Sequence, residues 1–310
     1  MRTRPLLVLL LILLVVGCQQ GKGPTTEKSP YIGGTNGLLI SFMDNFPPAE
    51  VFDGGEDPFD IVVNLKNDGE FDIPAGEIRV SISGIQATEF NKNPGDMIKV
   101  LNQGLEGKKK DSEGNLIPGD EESVEFENFN HVSPLTGTMQ YPVRADVCYL
   151  YGGIATTKLC FRKNLRSTEE GVCEVQGEKR VFNSGEPIQV QDFSEFVKGS
   201  QEIGFNFKIV KLGNGEVYKY TVRDCSEASY GDKNWVYVEI RTNEPGLECR
   251  GLKDGTATSG FVRLSDGEAT VNCEQPANVQ TDFEKPINIY LKYRYREDIT
   301  TTLIVKHTPE

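Results

Sequence analysis

The sequence predicts an all-β chain, built as two antiparallel β-sandwich domains in tandem after an N-terminal signal segment. Three observations carry this. From Leu38 onward apolar residues recur mainly at spacing two, the period of a half-buried strand. The alternating runs are short, bounded by Gly, Pro, Asn and Asp, and no long stretch carries the 3.6-residue period of a helix. The 310 residues, 9% of them aromatic, suffice for two hydrophobic cores.

The first sandwich, residues 37–162, opens with LLISFM at 38–43, FDIVVNL at 59–65 and EIRVSISGI at 77–85, which read as a meander interrupted by the turn-rich NDGEFDIPAG. A polar surface loop at 103–122, carrying Lys108, Lys109 and Lys110, leads to SVEFENF at 123–129. VRADVCYLY and ATTKLCF then read as two strands on either side of a Gly152-Gly153 turn. Residues 163–186 are charged and contain Gly and Ser, as a connector would, with Cys173 to pin it. In the second sandwich, residues 187–310, Ile203, Phe205, Phe207 and Ile209 alternate up to Gly213-Asn214-Gly215. Tyr218, Tyr220 and Val222 repeat the pattern as the return strand of a hairpin. Further strands are NWVYVEI at 234–240, GFVRL at 260–264, EATVNCE at 268–274, INIYLKYRYR at 287–296 and TTLIVKH at 301–307. Turn signals at these intervals favour an immunoglobulin-like sandwich over an α/β enzyme fold, a signature that jelly rolls and barrels share.

Arg2 and Arg4 precede an unbroken apolar run from Leu6 to Val16, the charged and apolar regions of an export signal. The run is shorter than the roughly 20 residues a membrane-spanning helix needs, and the chain turns polar at Gln19. Val15-Val16-Gly17-Cys18 resembles the lipobox of prokaryotic lipoprotein signals. The resemblance implies a signal peptide at 1–17 and a lipid on Cys18. It also implies a mature protein anchored on the outer side of the cytoplasmic membrane or in the cell envelope. Residues 18–36, rich in Gly, Pro, Thr and Lys, read as a flexible tether.

Six further cysteines remain: Cys148, Cys160, Cys173, Cys225, Cys249 and Cys273. An even number in an exported chain points to disulfides, and the absence of any CxxC argues against a zinc site. Cys148 and Cys160 form the best local candidate pair, across the Gly152-Gly153 turn, and some pairing is expected within the second half.

The stretch PFDIVVNLKNDGEFDIPAGEIRVSISG resembles the strand-turn-strand section of CARDB-type, immunoglobulin-like domains. IGFNFKIVKLGNGEVYKY has the same texture. The resemblance implies cell-surface adhesion or display and assigns no binding residue.

A formal charge of -13 argues against nucleic acid as a partner, since a surface that binds a phosphate backbone needs a basic patch. The two histidines, His131 and His307, lie far apart and outside any triad pattern, and no GxSxG, GxGxxG or P-loop occurs. The region from Asp44 to Asp60 carries six acids and no base. Within it, Asp53, Glu56, Asp57 and Asp60, around Gly54-Gly55, are the candidate ligands for calcium, the one cofactor considered. In INIYLKYRYR, Ile289, Leu291, Tyr293 and Tyr295 share one strand face, while Tyr290, Lys292, Arg294 and Arg296 share the other. The basic face would suit an acidic partner or an anionic glycan. Trp235, the sole tryptophan, is expected to be a core anchor, with sugar stacking as the alternative role.

The sequence thus predicts a lipid-anchored surface protein that acts without catalysis, in adhesion, partner binding or envelope structure, with a surface protein or glycan as partner. The alternatives are a secreted carbohydrate- or calcium-binding module and, more remotely, a paired-carboxylate glycosidase.

Overall fold

The computed structural model describes residues 27–308. The signal segment, Cys18 and the first part of the tether lie outside the described residues. Alternating burial gives strands at most of the period-two runs, though the run Tyr218, Tyr220, Val222 leaves the sheet after Tyr218. In the first half these are β1 (Leu38–Phe42), β2 (Glu50–Phe52), β3 (Phe59–Asn67), β4 (Ile78–Ser83) and β5 (Ile98–Leu101). The two-residue β6 (Lys109–Lys110) and β7 (Leu116–Ile117), then β8 (Glu121–Phe129) and β9 (Met139–Phe161), follow. The second half contributes β10 (Gly177–Glu178), β11 (Phe182–Asn183), β12 (Ile188–Val197), β13 (Glu202–Lys211) and β14 (Glu216–Tyr218). It ends with β15 (Trp235–Arg241), β16 (Glu248–Arg250), β17 (Ser259–Arg263), β18 (Glu268–Pro276) and β19 (Phe283–Lys306). The described residues contain three short 3-10 turns and no α-helix.

Strand β9 pairs antiparallel with β19 along its whole length, from Met139 opposite Val305 to Phe161 opposite Phe283. At about 3.4 Å per residue this ladder runs roughly 75 Å, longer than one sandwich core. It forms the middle of a nine-stranded sheet of order β17-β15-β19-β9-β4-β5, with β11 paired to β9 and with β14 and β2 paired to β19. Two other sheets, β1-β3-β8 and β10-β12-β13-β18-β16, supply the remaining core walls. One continuous buried cluster joins all three, including Leu65 and Phe126, Tyr149 and Tyr295, and Phe205 and Val271.

Several connections differ from the sequence expectation. The tandem division at 163–186 gives way to one compact unit from Tyr31 onward, because β9 and β19, one from each expected sandwich, share a sheet. The expected meander is broken: β3 pairs with β1 and β8, whereas β4 joins the larger sheet. The chain likewise changes sheets at Gly213–Gly215, since β13 pairs with β12 and β18 while β14 pairs with β19, so no hairpin forms there. Gly152 and Gly153 lie inside β9 without a turn. A Cβ on Gly153 would collide with the Glu186 carboxyl group, and one on Gly152 with the Leu291 carbonyl oxygen. These glycines provide close approach, the other use of the residue.

The disulfides are Cys148–Cys225, Cys160–Cys173 and Cys249–Cys273. The expected Cys148–Cys160 bond is excluded because both lie on one continuous strand, roughly 40 Å apart at strand rise. Closing the Cys148–Cys225 separation of 77 residues is worth about 4.5 kcal/mol in the chain-entropy account. Cys160–Cys173 does pin the 163–186 segment, and Cys249–Cys273 pairs within the second half. Three bridges mark a protein that matures outside the reducing cytosol.

Two carboxyl groups are sealed in the core. Burial pushes Glu186 well above the usual carboxylate range, where it accepts hydrogen bonds from Tyr293 Oη (3.4 Å) and Ser184 Oγ (3.5 Å). Glu195 is pushed up to about 7 by burial, against the pull of Lys179 at 3.1 Å and of the Cys160 N–H. A carboxyl whose pKa rises on folding stabilises fully below its unfolded pKa, and that contribution is lost as pH rises through the folded value. A rise from 4.5 to about 7 corresponds to roughly 3 kcal/mol. Urea unfolding of Glu195→Gln against the parent should therefore show that the parent loses about this much relative to the variant between pH 4.5 and 7. Parallel stability curves across that window would contradict the assignment.

Candidate functional site

The outer face of β19 presents Tyr290, Lys292, Arg294 and Arg296, as the alternation predicts, with Ile289, Leu291, Tyr293 and Tyr295 buried opposite. Register extends this face sideways. Tyr237 on β15 stands between Lys292 on β19 and Phe261 on β17, and Trp235 stands opposite Arg263. Trp235 shares strand parity with Tyr237, Glu239 and Arg241, whereas Val236, Val238 and Ile240 fill the core. Trp235 is thus half-buried on the outer face, which corrects its expected place as a core anchor. Its indole N–H donates to the Gly231 carbonyl oxygen at 2.8 Å.

Cations cover these rings. Lys219 Nζ, Lys253 Nζ and the Arg263 guanidinium stand 5.3, 5.5 and 5.9 Å from the Trp235 ring centre. Arg263 also lies over Tyr230, which is 80% exposed, and Lys292 lies 5.0 Å from the ring of Tyr220. Tyr220 stacks on Phe261 at 5.5 Å and meets Tyr237 edge-on at 5.4 Å, carrying its loop onto the sheet. Among the described residues, Lys253, Arg263 and Lys292 form no ion pair, and Lys219 reaches only the exposed Asp254 at 4.0 Å. Each ring contact is worth about 0.5–1 kcal/mol and leaves the cation's charge in place.

Farther along β19 the basic face is neutralised. Arg294, 3% exposed, pairs with Glu77 at 2.6 Å, and Arg296 pairs with Asp146 at 2.5 Å. Arg144 joins Asp146 at 2.9 Å and Asp298 at 3.0 Å, beside a groove of about 550 Å3. A concavity of about 860 Å3 lies against residues 162–176, where Arg162 is engaged by Asp282 at 3.3 Å.

The candidate calcium ligands do not converge. Asp53 is buried, and the Leu135 N–H, the His307 ring and the Thr308 N–H hold its carboxyl well below the usual carboxylate range. Asp57 accepts the Phe52 N–H at 2.9 Å, Asp60 accepts the Asn128 N–H at 2.7 Å, and Glu56 is exposed. Among the described residues no three His, Cys, Asp or Glu side chains group as a metal site. The acids close turns by accepting backbone N–H groups. His131 is fully buried against Phe90 and bonds Tyr141 Oη at 3.0 Å, a packing role. Lys219 and Tyr220, from the loop after β14, and Lys253, from the loop before β17, were not legible as site residues, since only the fold brings these two loops together. Arg263 and Phe261 carried a signal in the alternation of GFVRL.

No protein-family model and no curated protein matches the chain. Among solved structures, it is similar to the secreted serine protease VesC from Vibrio cholerae, with a TM-score of 0.17 and 11% identity over 86% of this chain. The chain spans 51% of that protein's length. It is also similar to the partial N-terminal region of an enterococcal surface protein, with a TM-score of 0.16 and 11% identity, over 88% of this chain and 87% of that one. Similarity at this level transfers neither architecture nor function.

Proposed function

We propose that this protein is exported, anchored by a lipid on Cys18, and acts without catalysis as an adhesion module whose outer sheet face binds an anionic glycan. The observation that carries this reading is the Trp235 ring beneath Lys219, Lys253 and Arg263, in a chain of net charge -13. The exposed Tyr230 ring and the half-buried Trp235 ring suit the apolar faces of sugars, and Lys253 and Arg263 beside them suit carboxylate or sulfate substituents. The disulfides fit export, and the lipobox-like Val15-Val16-Gly17-Cys18 fits anchorage.

Titration with acidic and neutral polysaccharides, followed by the fluorescence of the sole tryptophan, tests the glycan reading. Acidic polysaccharides should bind, weaken with added salt, and lose at least about tenfold in affinity (1.4 kcal/mol) in Trp235→Ala and in the double variant Lys253→Ala/Arg263→Ala. Equal binding of neutral and acidic polymers, or binding indifferent to these substitutions, would contradict it. Anchorage is tested separately: Cys18→Ser should move the chain from the membrane fraction to the soluble one. A variant that stays at the membrane would contradict lipid attachment.

A further inference from the structure

Where the outer face of β19 passes from Lys292 to Arg294, a separate cavity of about 270 Å3 opens, lined by Gly76, Glu77, Arg79, Val100, Arg223 and Arg294. Three elements bring its arginines together. Arg79 lies on β4 opposite Cys148, and Arg294 lies on β19 opposite Leu150. Arg223 sits in the loop that the Cys148–Cys225 bond fastens to the same sheet, two residues from the bridge. The disulfide therefore fastens the loop that brings Arg223 to the cavity.

The acids nearby do not use all of this donor capacity. Glu77 takes two nitrogens of Arg294, Nη2 at 2.6 Å through its carboxylate and Nη1 at 3.1 Å through its carbonyl oxygen. Asp224 takes Arg79 Nε at 2.8 Å. Arg294 Nε is buried and has no acceptor. The two terminal nitrogens of Arg79 and the whole guanidinium of exposed Arg223 have no acceptor among the described residues. Three arginines thus face two carboxylates, leaving a net positive charge and unused donors around a space of small-ligand size.

We propose that this cavity binds a tetrahedral oxyanion, sulfate or phosphate, either as the free ion or as a substituent on a larger molecule. Guanidinium groups arriving from three elements match a group with oxygens on every side better than a planar carboxylate, which one arginine fork satisfies. The site is distinct from the rings around Trp235, so it stands whether or not those rings bind a glycan.

Calorimetric titration of the full exported chain with sodium sulfate, inorganic phosphate and acetate, at ionic strength held constant with chloride, tests this. Sulfate or phosphate should bind saturably at one site, and Arg223→Ala, at an exposed position that carries no ion pair, should weaken that binding at least tenfold. Trp235→Ala should leave it unchanged. Tighter binding of an O-sulfated or O-phosphorylated monosaccharide than of the free ion would identify the substituent as the ligand, and the reverse order the ion itself. The absence of saturable sulfate and phosphate binding would overturn the proposal. Acetate equal to sulfate, an unaffected Arg223→Ala, or an equal loss in Trp235→Ala would overturn it as well.

Discussion

The antiparallel pairing of β9 with β19 is the constraint on which the rest of the structure depends. Each residue of β9 has a partner on β19, so one register decides which side chains of both strands face the core. A slip of one residue would turn Tyr293 and Tyr295 outward and force Lys292, Arg294 and Arg296 into apolar packing. Several features hold that register. Gly153 alone makes room for the buried Glu186 carboxyl group, Tyr149 Oη donates to Glu297 at 2.6 Å across the ladder's neighbouring rungs, and Cys148 ties β9 to the loop above.

The outer face follows from the same alternation. Once the tyrosines are committed to the core, the intervening Lys and Arg must stand on the opposite side of the sheet, and its neighbours determine what becomes of them. Toward β4 and β9 they meet Glu77 and Asp146 and become part of the scaffold. Toward β15 and β17, Lys292 meets the Tyr220 ring, which attracts a cation without neutralising it. The loop fastened by Cys148–Cys225 lies over the boundary between these regions, bringing Tyr220 to one and Arg223 to the other.

Most strands were legible in the sequence because period-two burial is a local property. The one long strand missed, β12, is bulged: Asp192 has a positive φ of 50° and the register shifts between Gln191 and Ser194, so its buried residues Val190, Phe193 and Glu195 lose the strict alternation. Connectivity was less legible. Gly213–Gly215 and Gly152-Gly153 both look like hairpin turns, yet one marks a change of sheet and the other a close approach, and only long-range partners distinguish these uses. The disulfide pairing failed with the turn that supported it. Of the candidate sites, the division of INIYLKYRYR into two faces was legible, whereas Lys219 and Lys253 at the Trp235 ring, and Arg79 and Arg223 at the arginine-lined cavity, come from elements far apart in the chain.

Native-state amide hydrogen exchange tests the shared ladder most directly. The account predicts that the slowest amides of residues 139–150 and 154–161 in β9, and of their partners 283–290 and 294–305 in β19, exchange with one common free energy of opening. Two separate opening free energies, with one end of the ladder exchanging while the other stays protected, would contradict a single spine and restore two independently folding sandwiches.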